Sequence, residues 1–167
     1  MIRTVILAVN DEGADSPRVK ETVDVIRKLI SEGPFLEVDY QVVPDEQAVI
    51  RSKLRVLSDS ELNDLILTTG GTGMLMKERT PEATKEVIER EVPGLAEYMR
   101  AVGMKQSPRS ILFRGVCGIR RRTLIVNLPG GPKGCEDSLA AILPSLPPAM
   151  DYVMGHVTDI TKTWADS

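Results

Sequence analysis

The sequence predicts one α/β domain with a mainly parallel sheet that helices cover on both faces. Short apolar runs alternate with amphipathic helical segments, two of these runs lead directly into glycine-rich loops, and 42% of the 167 residues are hydrophobic. Strands that alternate with helices are typical of parallel sheets, because a crossover helix must carry the chain back to the start of the sheet. This hydrophobic content is enough for one buried core.

The chain begins with a strand and a helix. Residues 4–9 are an apolar run of strand length. Ser16 and Pro17 then supply an N-cap and a first-turn proline for a helix, which Gly33 and Pro34 end. One apolar stripe at helical spacing supports this helix and consists of Val19, Val23, Ile26 and Ile30.

A half-exposed strand comes next, followed by a helix and a buried strand. The alternation predicts that one face of the half-exposed strand carries Leu36, Val38, Tyr40 and Val42, which favours a peripheral position. Ile50, Leu54 and Leu57 then recur at helical spacing, which predicts a helix. Residues 65–69 are predicted to form a fully apolar strand that leads into the first glycine loop.

The second half of the chain leaves this alternation, because two helical segments follow one another. The first begins at Thr80 and Pro81, is interrupted at Pro93 and Gly94, and is followed by a helix over residues 95–102. Two more strands and a final helix are predicted at residues 111–113, 122–128 and 135–143.

Composition excludes several classes of partner and location. The net charge of −3, with both signs interspersed, leaves no broad basic face for nucleic acid. No segment is apolar and long enough to span a membrane or to act as a secretory signal, and the two cysteines form no CxxC pair. We therefore expect a cytoplasmic protein with a domain at residues 1–157 and a polar tail at residues 158–167.

Two glycine-rich loops leave the ends of predicted strands and enter helices. Glycine permits tight turns with outward N–H groups, and a following helix N-terminus favours anions, so the loops predict a phosphate site. A tight turn without a ligand is the alternative for the first loop, and a solvated lysine is the alternative for Lys133. The predicted binding residues are Gly70, Gly71, Thr72, Gly73, Pro129, Gly130, Gly131, Pro132, Lys133 and Gly134.

Two carboxylates flank the loops and are candidate ligands for Mg²⁺ on a polyphosphate. Asp45 follows the alternating strand, and Glu78 precedes Thr80. Asp45 as a helix N-cap and Glu78 as a solvated side chain are the alternatives. No nucleophile and base pair is present, and the single histidine, His156, is read as a surface residue. Joining two phosphates needs no such pair, because a phosphate monoester is already largely dianionic at neutral pH.

Several linked motifs resemble the molybdenum cofactor biosynthesis MogA/MoaB family. They span most of the chain and occur in one order, at residues 43–46, 65–73, 80–84, 91–97, 99–100, 114–115, 118–120, 127–130 and 132–134.

The resemblance implies a three-layer α/β/α molybdopterin-binding fold that is trimeric or hexameric. It also implies adenylylation of molybdopterin with Mg²⁺ and ATP, release of pyrophosphate, and a downstream molybdenum insertase. By position, Asp45 corresponds to the family aspartate linked to catalysis and metal, and both loops correspond to ligand-binding loops.

Two departures from the family pattern bear on activity. Glu78 stands where aspartate is usual, and the amino-terminal pattern Ser-Asp-Arg is replaced by Asn10, Asp11 and Glu12. The first change extends a predicted metal ligand by one methylene, and the second places a negative charge near an anion site. A binding protein that holds molybdopterin without adenylylating it is therefore the alternative function.

Overall fold

The computed structural model describes residues 1–157, so the predicted polar tail at residues 158–167 lies outside the described residues. The chain contains six strands and six α-helices within this range, with 3₁₀ turns at Pro108–Leu112 and Leu143–Ser145. In chain order the elements are β1 (Ile2–Val9), α1 (Pro17–Ile30), β2 (Phe35–Val43), α2 (Gln47–Asp59), β3 (Leu65–Thr69), α3 (Thr80–Val87), β4 (Arg90–Glu91), α4 (Pro93–Met104), β5 (Cys117–Arg120), β6 (Thr123–Leu128), α5 (Pro132–Ile142) and α6 (Leu146–Val153).

All six strands form one sheet in the order β2-β1-β3-β6-β5-β4. The first four strands of this order are parallel, whereas β5 is antiparallel to β6 and β4 is antiparallel to β5. The prediction of a mainly parallel sheet is confirmed. The carboxyl ends of β1, β2, β3 and β6 consequently lie at one edge of the sheet, and we name this edge the carboxyl edge.

Helices cover both faces of the sheet and make three layers. Alternate residues of the central strands point to opposite faces, so Ile6 and Leu67 pack beneath α1, α4, α5 and α6, while Leu7 and Ile66 pack beneath α2 and α3. These four side chains have no exposed surface. Among residues 1–157, no helix combines the length and the apolar character needed to cross a bilayer.

Helix α1 begins and packs as its sequence predicts. Ser16 is the N-cap, and its Oγ accepts the N–H of Val19 at 3.5 Å while Pro17 occupies the first turn. The helix ends at Ile30, before Gly33. The predicted apolar stripe is buried against the sheet and consists of Val19, Val23, Ile26 and Ile30.

The strand β2 lies at the sheet edge, as predicted, but the prediction that its four apolar side chains share one face is wrong. Pairing with β1 skips one residue of β2, Val38, so the side chains before and after this bulge alternate out of step. Tyr40 and Val42 pack against the core, whereas Leu36 and Val38 are 49% and 44% exposed.

The predicted strand at residues 111–113 is also wrong, because this segment belongs to the 3₁₀ turn Pro108–Leu112 and the residue that follows it. Ser107 starts the turn, since its Oγ accepts the N–H of Arg109. The chain here pairs with α4 rather than with a strand: the N–H of Ser107 donates to the carbonyl of Gly103. The hydrogen bonds of Ser107 therefore favour a 3₁₀ turn here, although the apolar run had favoured a strand.

The additional strands β4 and β5 come from two places in the sequence. The helix predicted from Thr80 to Pro93 ends at Val87 instead, and β4 follows it, whereas β5 lies in the stretch that was treated as a connection between two strands. A β-carbon at Gly118 would lie 2.6 Å from Cδ1 of Ile88 and 2.8 Å from the carbonyl oxygen of Arg90. Only glycine admits this close approach, which brings β4 alongside β5. The pairing depends on residues almost thirty positions apart, so periodicity could not reveal it.

An ion pair between Arg3 and Asp64 lies at the amino ends of the parallel strands, on the side of the sheet opposite the carboxyl edge. The carboxylate of Asp64 is 5% exposed and accepts the backbone N–H of Arg3 at 2.8 Å and two bonds from its guanidinium. Burial acts to raise the pKa of Asp64, but the bonds from Arg3 outweigh this effect and hold the pKa below its usual value. The carboxylate therefore stabilises the fold when it is ionised.

Asp64→Asn is expected to lower the free energy of unfolding by about 1–3 kcal/mol at pH 7, because a buried N–H and a guanidinium lose a charged acceptor. Urea unfolding measures this difference, and Asp151→Asn, at an exposed acid, is the control with little effect. Since the folded pKa is depressed, the difference should shrink as the pH falls below about 3.9. An equal loss at pH 7 and pH 3 would contradict an electrostatic origin.

Candidate active site

The two glycine loops contact each other at the carboxyl edge. They follow β3 and β6, which are adjacent in the sheet. Thr69 Oγ1 donates to the carbonyl of Pro129 at 2.7 Å, and a β-carbon at Gly130 would lie 3.0 Å from the Cα of Gly70. The structure therefore joins two separate sequence motifs into one surface.

The first loop requires glycine at two consecutive positions. Gly70 and Gly71 have φ values of 94° and 68°, in the left-handed region that favours glycine. A β-carbon at Gly70 would lie 2.3 Å from the carbonyl oxygen of Val9, and one at Gly71 would lie 2.2 Å from Oγ1 of Thr80. Thr80 fixes the loop from below, because its Oγ1 donates to the carbonyl of Gly70 and its N–H donates to that of Gly71.

The second loop is shorter than the sequence suggested, because α5 begins at Pro132 with Gly131 as its N-cap. Pro132, Lys133 and Gly134 therefore form the first helical turn and present the helix N-terminus to the carboxyl edge. The side chain of Lys133 is 76% exposed and pairs with Asp137 at 3.0 Å. Its ammonium is near the site but already has a carboxylate partner.

Asp45 does not cap the helix that follows it. The N-cap of α2 is Glu46, which makes no side-chain capping bond. Oδ1 of Asp45 instead accepts the N–H of Arg79 at 3.0 Å, and Oδ2 lies 3.0 Å from where a β-carbon of Gly71 would be. Asp45 therefore turns toward the first glycine loop rather than toward its own helix.

Asp11 contacts Asp45 and was not among the candidate site residues named from the sequence. Oδ1 of Asp11 accepts the N–H of Asp45 at 2.9 Å, and Oδ2 pairs with Nζ of Lys77 at 3.0 Å. Burial raises the pKa of Asp45, and the charges of Asp11 and Glu78 add to this rise. The Asp45 N–H and Lys77 lower the pKa of Asp11. The sequence feature that could have identified Asp11 is its position close after β1, because β1 is the strand next to β3.

Glu78 is half-buried and closes the loop that precedes it. Its Oε2 accepts the N–H of Leu75 at 2.9 Å, and its own N–H donates to the carbonyl of Leu75 at 3.0 Å. A β-carbon at Gly73 would lie 2.4 Å from Oε2. The carboxylate is thus held against the glycine loop, with one oxygen already engaged by the backbone.

Arg114 holds the same loop from the other side and was not assigned a role from sequence. Its Nε donates to the carbonyl of Gly73 at 2.8 Å, and its Nη2 donates to the carbonyl of Glu78 at 3.0 Å. The guanidinium also pairs with Glu82 at 2.8 Å. These bonds fix both ends of the segment between Gly73 and Glu78.

Two cavities meet at this surface. The larger, of about 740 Å³, lies between the two loops, α4 and the 3₁₀ turn, and the smaller, of about 280 Å³, lies between the first loop and the end of β1. Both are lined by Arg18, Gly71, Glu78 and Gly130. Nine of the ten predicted binding residues line one cavity or the other, and the remaining one is Pro132.

The cavities differ in charge. The larger has apolar walls, three cations of its own besides Arg18, namely Arg100, Arg109 and Lys133, and the two carboxylates of Glu78 and Asp137. The smaller is lined by the carboxylates of Asp11, Glu12, Asp45 and Glu78, with Lys77 and Arg18 as its cations. This division suits a partly apolar ligand with a phosphate in the larger cavity and a metal with further phosphates in the smaller.

The donor set of the smaller cavity fits Mg²⁺ only together with a phosphate ligand. Within residues 1–157, no group of three or more histidine, cysteine or acidic side chains is arranged to hold a metal by itself. Mg²⁺ is usually held by one or two carboxylates and by substrate phosphates. Asp45, with Glu78 across the glycine loop or Asp11 beside it, meets this requirement.

Two contacting glycine loops, a helix N-terminus and carboxylates at the carboxyl edge are the features of α/β proteins that bind phosphorylated ligands. The chain belongs to the molybdenum cofactor biosynthesis MogA/MoaB family. Residues 5–148 match the family described as "Probable molybdopterin binding domain".

Relatives in bacteria support this assignment. A Helicobacter pylori protein named molybdopterin adenylyltransferase is 36% identical over 159 residues, which cover 94% of this chain and 90% of that protein. The crystal structure of the molybdopterin biosynthesis enzyme MoaB from Thermus thermophilus is 52% identical, has a TM-score of 0.86 and covers 93% of this chain and 98% of that one. The Mog protein from Mycobacterium ulcerans is 33% identical with a TM-score of 0.84, covering 92% and 99%. The predicted three-layer fold is confirmed.

Proposed function

We propose that this chain is a molybdopterin adenylyltransferase of molybdenum cofactor biosynthesis, which transfers AMP from ATP to the terminal phosphate of molybdopterin and releases pyrophosphate. The observation that carries the proposal is the junction of two cavities at one glycine loop, with Asp45 on the smaller side. Relatives named molybdopterin adenylyltransferase, such as the Helicobacter pylori protein, support the same reaction.

The reaction joins two phosphates in line. An oxygen of the molybdopterin phosphate attacks the α-phosphorus of ATP, the bond between the α- and β-phosphates breaks, and pyrophosphate leaves with the electron pair of that bond. No base is required, because the attacking monoester has a second pKa of about 6 and is largely dianionic at pH 7. The protein must therefore position two anions and offset their repulsion.

The residues divide this work. The larger cavity, with apolar walls and Arg100, has room for the pterin and its phosphate, while the smaller cavity takes the phosphates of ATP, so that the two reacting groups meet at the junction of the cavities. Bound Mg²⁺ would neutralise charge that develops on the phosphate oxygens. Asp45, with Glu78 or Asp11, would hold this ion, and the N–H groups of the first glycine loop would face the phosphate.

Pyrophosphate release in the presence of molybdopterin, ATP and Mg²⁺ tests the function. We expect pyrophosphate to accumulate only when all three are present, and the mass of the pterin product to increase by one AMP. A chain that binds molybdopterin tightly without forming pyrophosphate above background would be the non-catalytic binding protein instead.

One observation favours that alternative. Oε2 of Glu78 already accepts the N–H of Leu75 at 2.9 Å, so the carboxylate has less capacity for a metal. Glu78→Asp shortens the side chain and should release that bond. If the wild-type chain releases no pyrophosphate and the Glu78→Asp variant does, Glu78 is the cause of the lost turnover.

We further propose that the protein acts in the cytoplasm as a homo-trimer or homo-hexamer and delivers its product to a molybdenum insertase. The family resemblance supports this assembly. Light scattering of the purified chain measures the number of copies.

A further inference from the structure

Arg18 lies at the boundary of the two cavities and was not identified by the sequence motifs. It is in the first turn of α1, and it lines both the larger and the smaller cavity. Side chains shared by both cavities are few, and among these only Arg18 carries a positive charge. Arg18 therefore lies where a ligand that extends across both cavities would contact it.

The guanidinium of Arg18 has no acceptor among the hydrogen bonds and ion pairs of residues 1–157. Of the other cations that line the cavities, Lys77 pairs with Asp11 and Lys133 pairs with Asp137, whereas Arg109, which lines only the larger cavity, also has no side-chain acceptor among the bonds of residues 1–157. Arg100 donates to the carbonyls of Phe113 and Gly115, within its own wall. Arg18 is thus a full charge whose five donors remain available to a ligand.

The location of the guanidinium gives it a defined direction. Nη2 of Arg18 lies 3.0 Å from where a β-carbon of Gly131 would be, so the group rests against the N-cap of α5. Thr22, one turn along α1, donates through Oγ1 to the carbonyl of Gly130 at 3.2 Å and ties α1 to this loop. The guanidinium and the first turn of α5 consequently face the same space.

The smaller cavity also needs a cation. It is lined by four carboxylates, Asp11, Glu12, Asp45 and Glu78, and Lys77 is already paired with the first of these. A phosphate entering this cavity would meet excess negative charge that one Mg²⁺ only partly offsets. Arginine is suited to this task, because its planar fork binds two oxygens of one phosphoryl group.

We propose that Arg18 binds the phosphoryl group that spans the junction of the two cavities, and so aligns the two substrates. This assignment rests on the proposed function, in which each cavity contributes one phosphate to the new bond. The ligand chemistry is a phosphoanhydride or phosphate monoester oxygen, provided by ATP, pyrophosphate or molybdopterin.

The test compares Arg18→Ala and Arg18→Lys with Lys20→Ala in the full chain. Lys20 is an exposed residue of the same helix that lines neither cavity, so its variant removes an equal charge outside the site. Calorimetric titrations with Mg-ATP, inorganic pyrophosphate and molybdopterin measure binding, and pyrophosphate release measures turnover. Thermal melting of each variant checks that the fold is intact.

Arg18→Ala should weaken binding of at least one of these anions by about 10-fold to 100-fold, the loss expected for a charged bidentate contact. Arg18→Lys should recover part of it, and Lys20→Ala should match the wild type. Binding and turnover of Arg18→Ala within twofold of the wild type would overturn the assignment, as would an equal loss in Lys20→Ala. If the wild type binds these anions without turnover, the proposed function fails while the binding losses still decide the role of Arg18. Wild-type failure to bind any of the three would overturn both.

Discussion

Replacing Asp45 with Asn is expected to lower the adenylylation rate by about 100-fold to 1000-fold, the range found when one charge-stabilising group is removed from an active site. Asn has the same shape and retains an oxygen that can accept the N–H of Arg79, as Oδ1 of Asp45 does at 3.0 Å. It lacks the charge that a metal ligand supplies. Binding of molybdopterin, assigned to the larger cavity, should change little.

Pyrophosphate release and molybdopterin titration together measure this effect. Glu46→Gln is the matched control, because Glu46 is the adjacent carboxylate, is exposed and makes no capping bond. Restoring part of the rate with a large excess of Mg²⁺ would support a metal-binding role for Asp45. A wild-type rate in Asp45→Asn would show that another carboxylate, with Asp11 as the nearest, holds the metal.

Gly71→Ala is expected to have the second large effect, with turnover reduced by at least about 100-fold and a lower melting temperature. The φ of 68° costs a non-glycine residue about 1–2 kcal/mol. The new methyl would also lie 2.2 Å from Oγ1 of Thr80 and 3.0 Å from Oδ2 of Asp45. The loop must therefore shift, and the proposed metal ligand must shift with it.

Gly13→Ala separates the two causes of this effect. Gly13 also has a left-handed φ, of 81°, but a β-carbon there meets no atom within 4 Å. It should show only the backbone strain, as a modest loss of melting temperature with turnover preserved. Similar losses of turnover in both variants would show that strain, and not the contact with Asp45 and Thr80, controls the site.

Local patterns were sufficient for much of the fold. The Ser16 cap, the apolar stripe of α1 and the buried run of β3 each depend on neighbours within a few residues, and the structure confirms all three. Where a local pattern competed with long-range contacts, it failed. The bulge at Val38 and the close approach at Gly118 arise from pairing with distant strands, which no periodicity records.

For the site, the sequence by itself predicted a phosphate site at the glycine loops and named Asp45 and Glu78 as candidate ligands. Only the tertiary structure decided which groups meet them. Asp11 reaches Asp45 across 34 positions, and Arg114 reaches Gly73 across 41. The physical reason is the order of the parallel strands, which gathers the carboxyl ends of β2, β1, β3 and β6 at one edge. That order depends on how the strands pair across the sheet. It brings together residues that are far apart in the chain, and no local sequence pattern predicts that they meet.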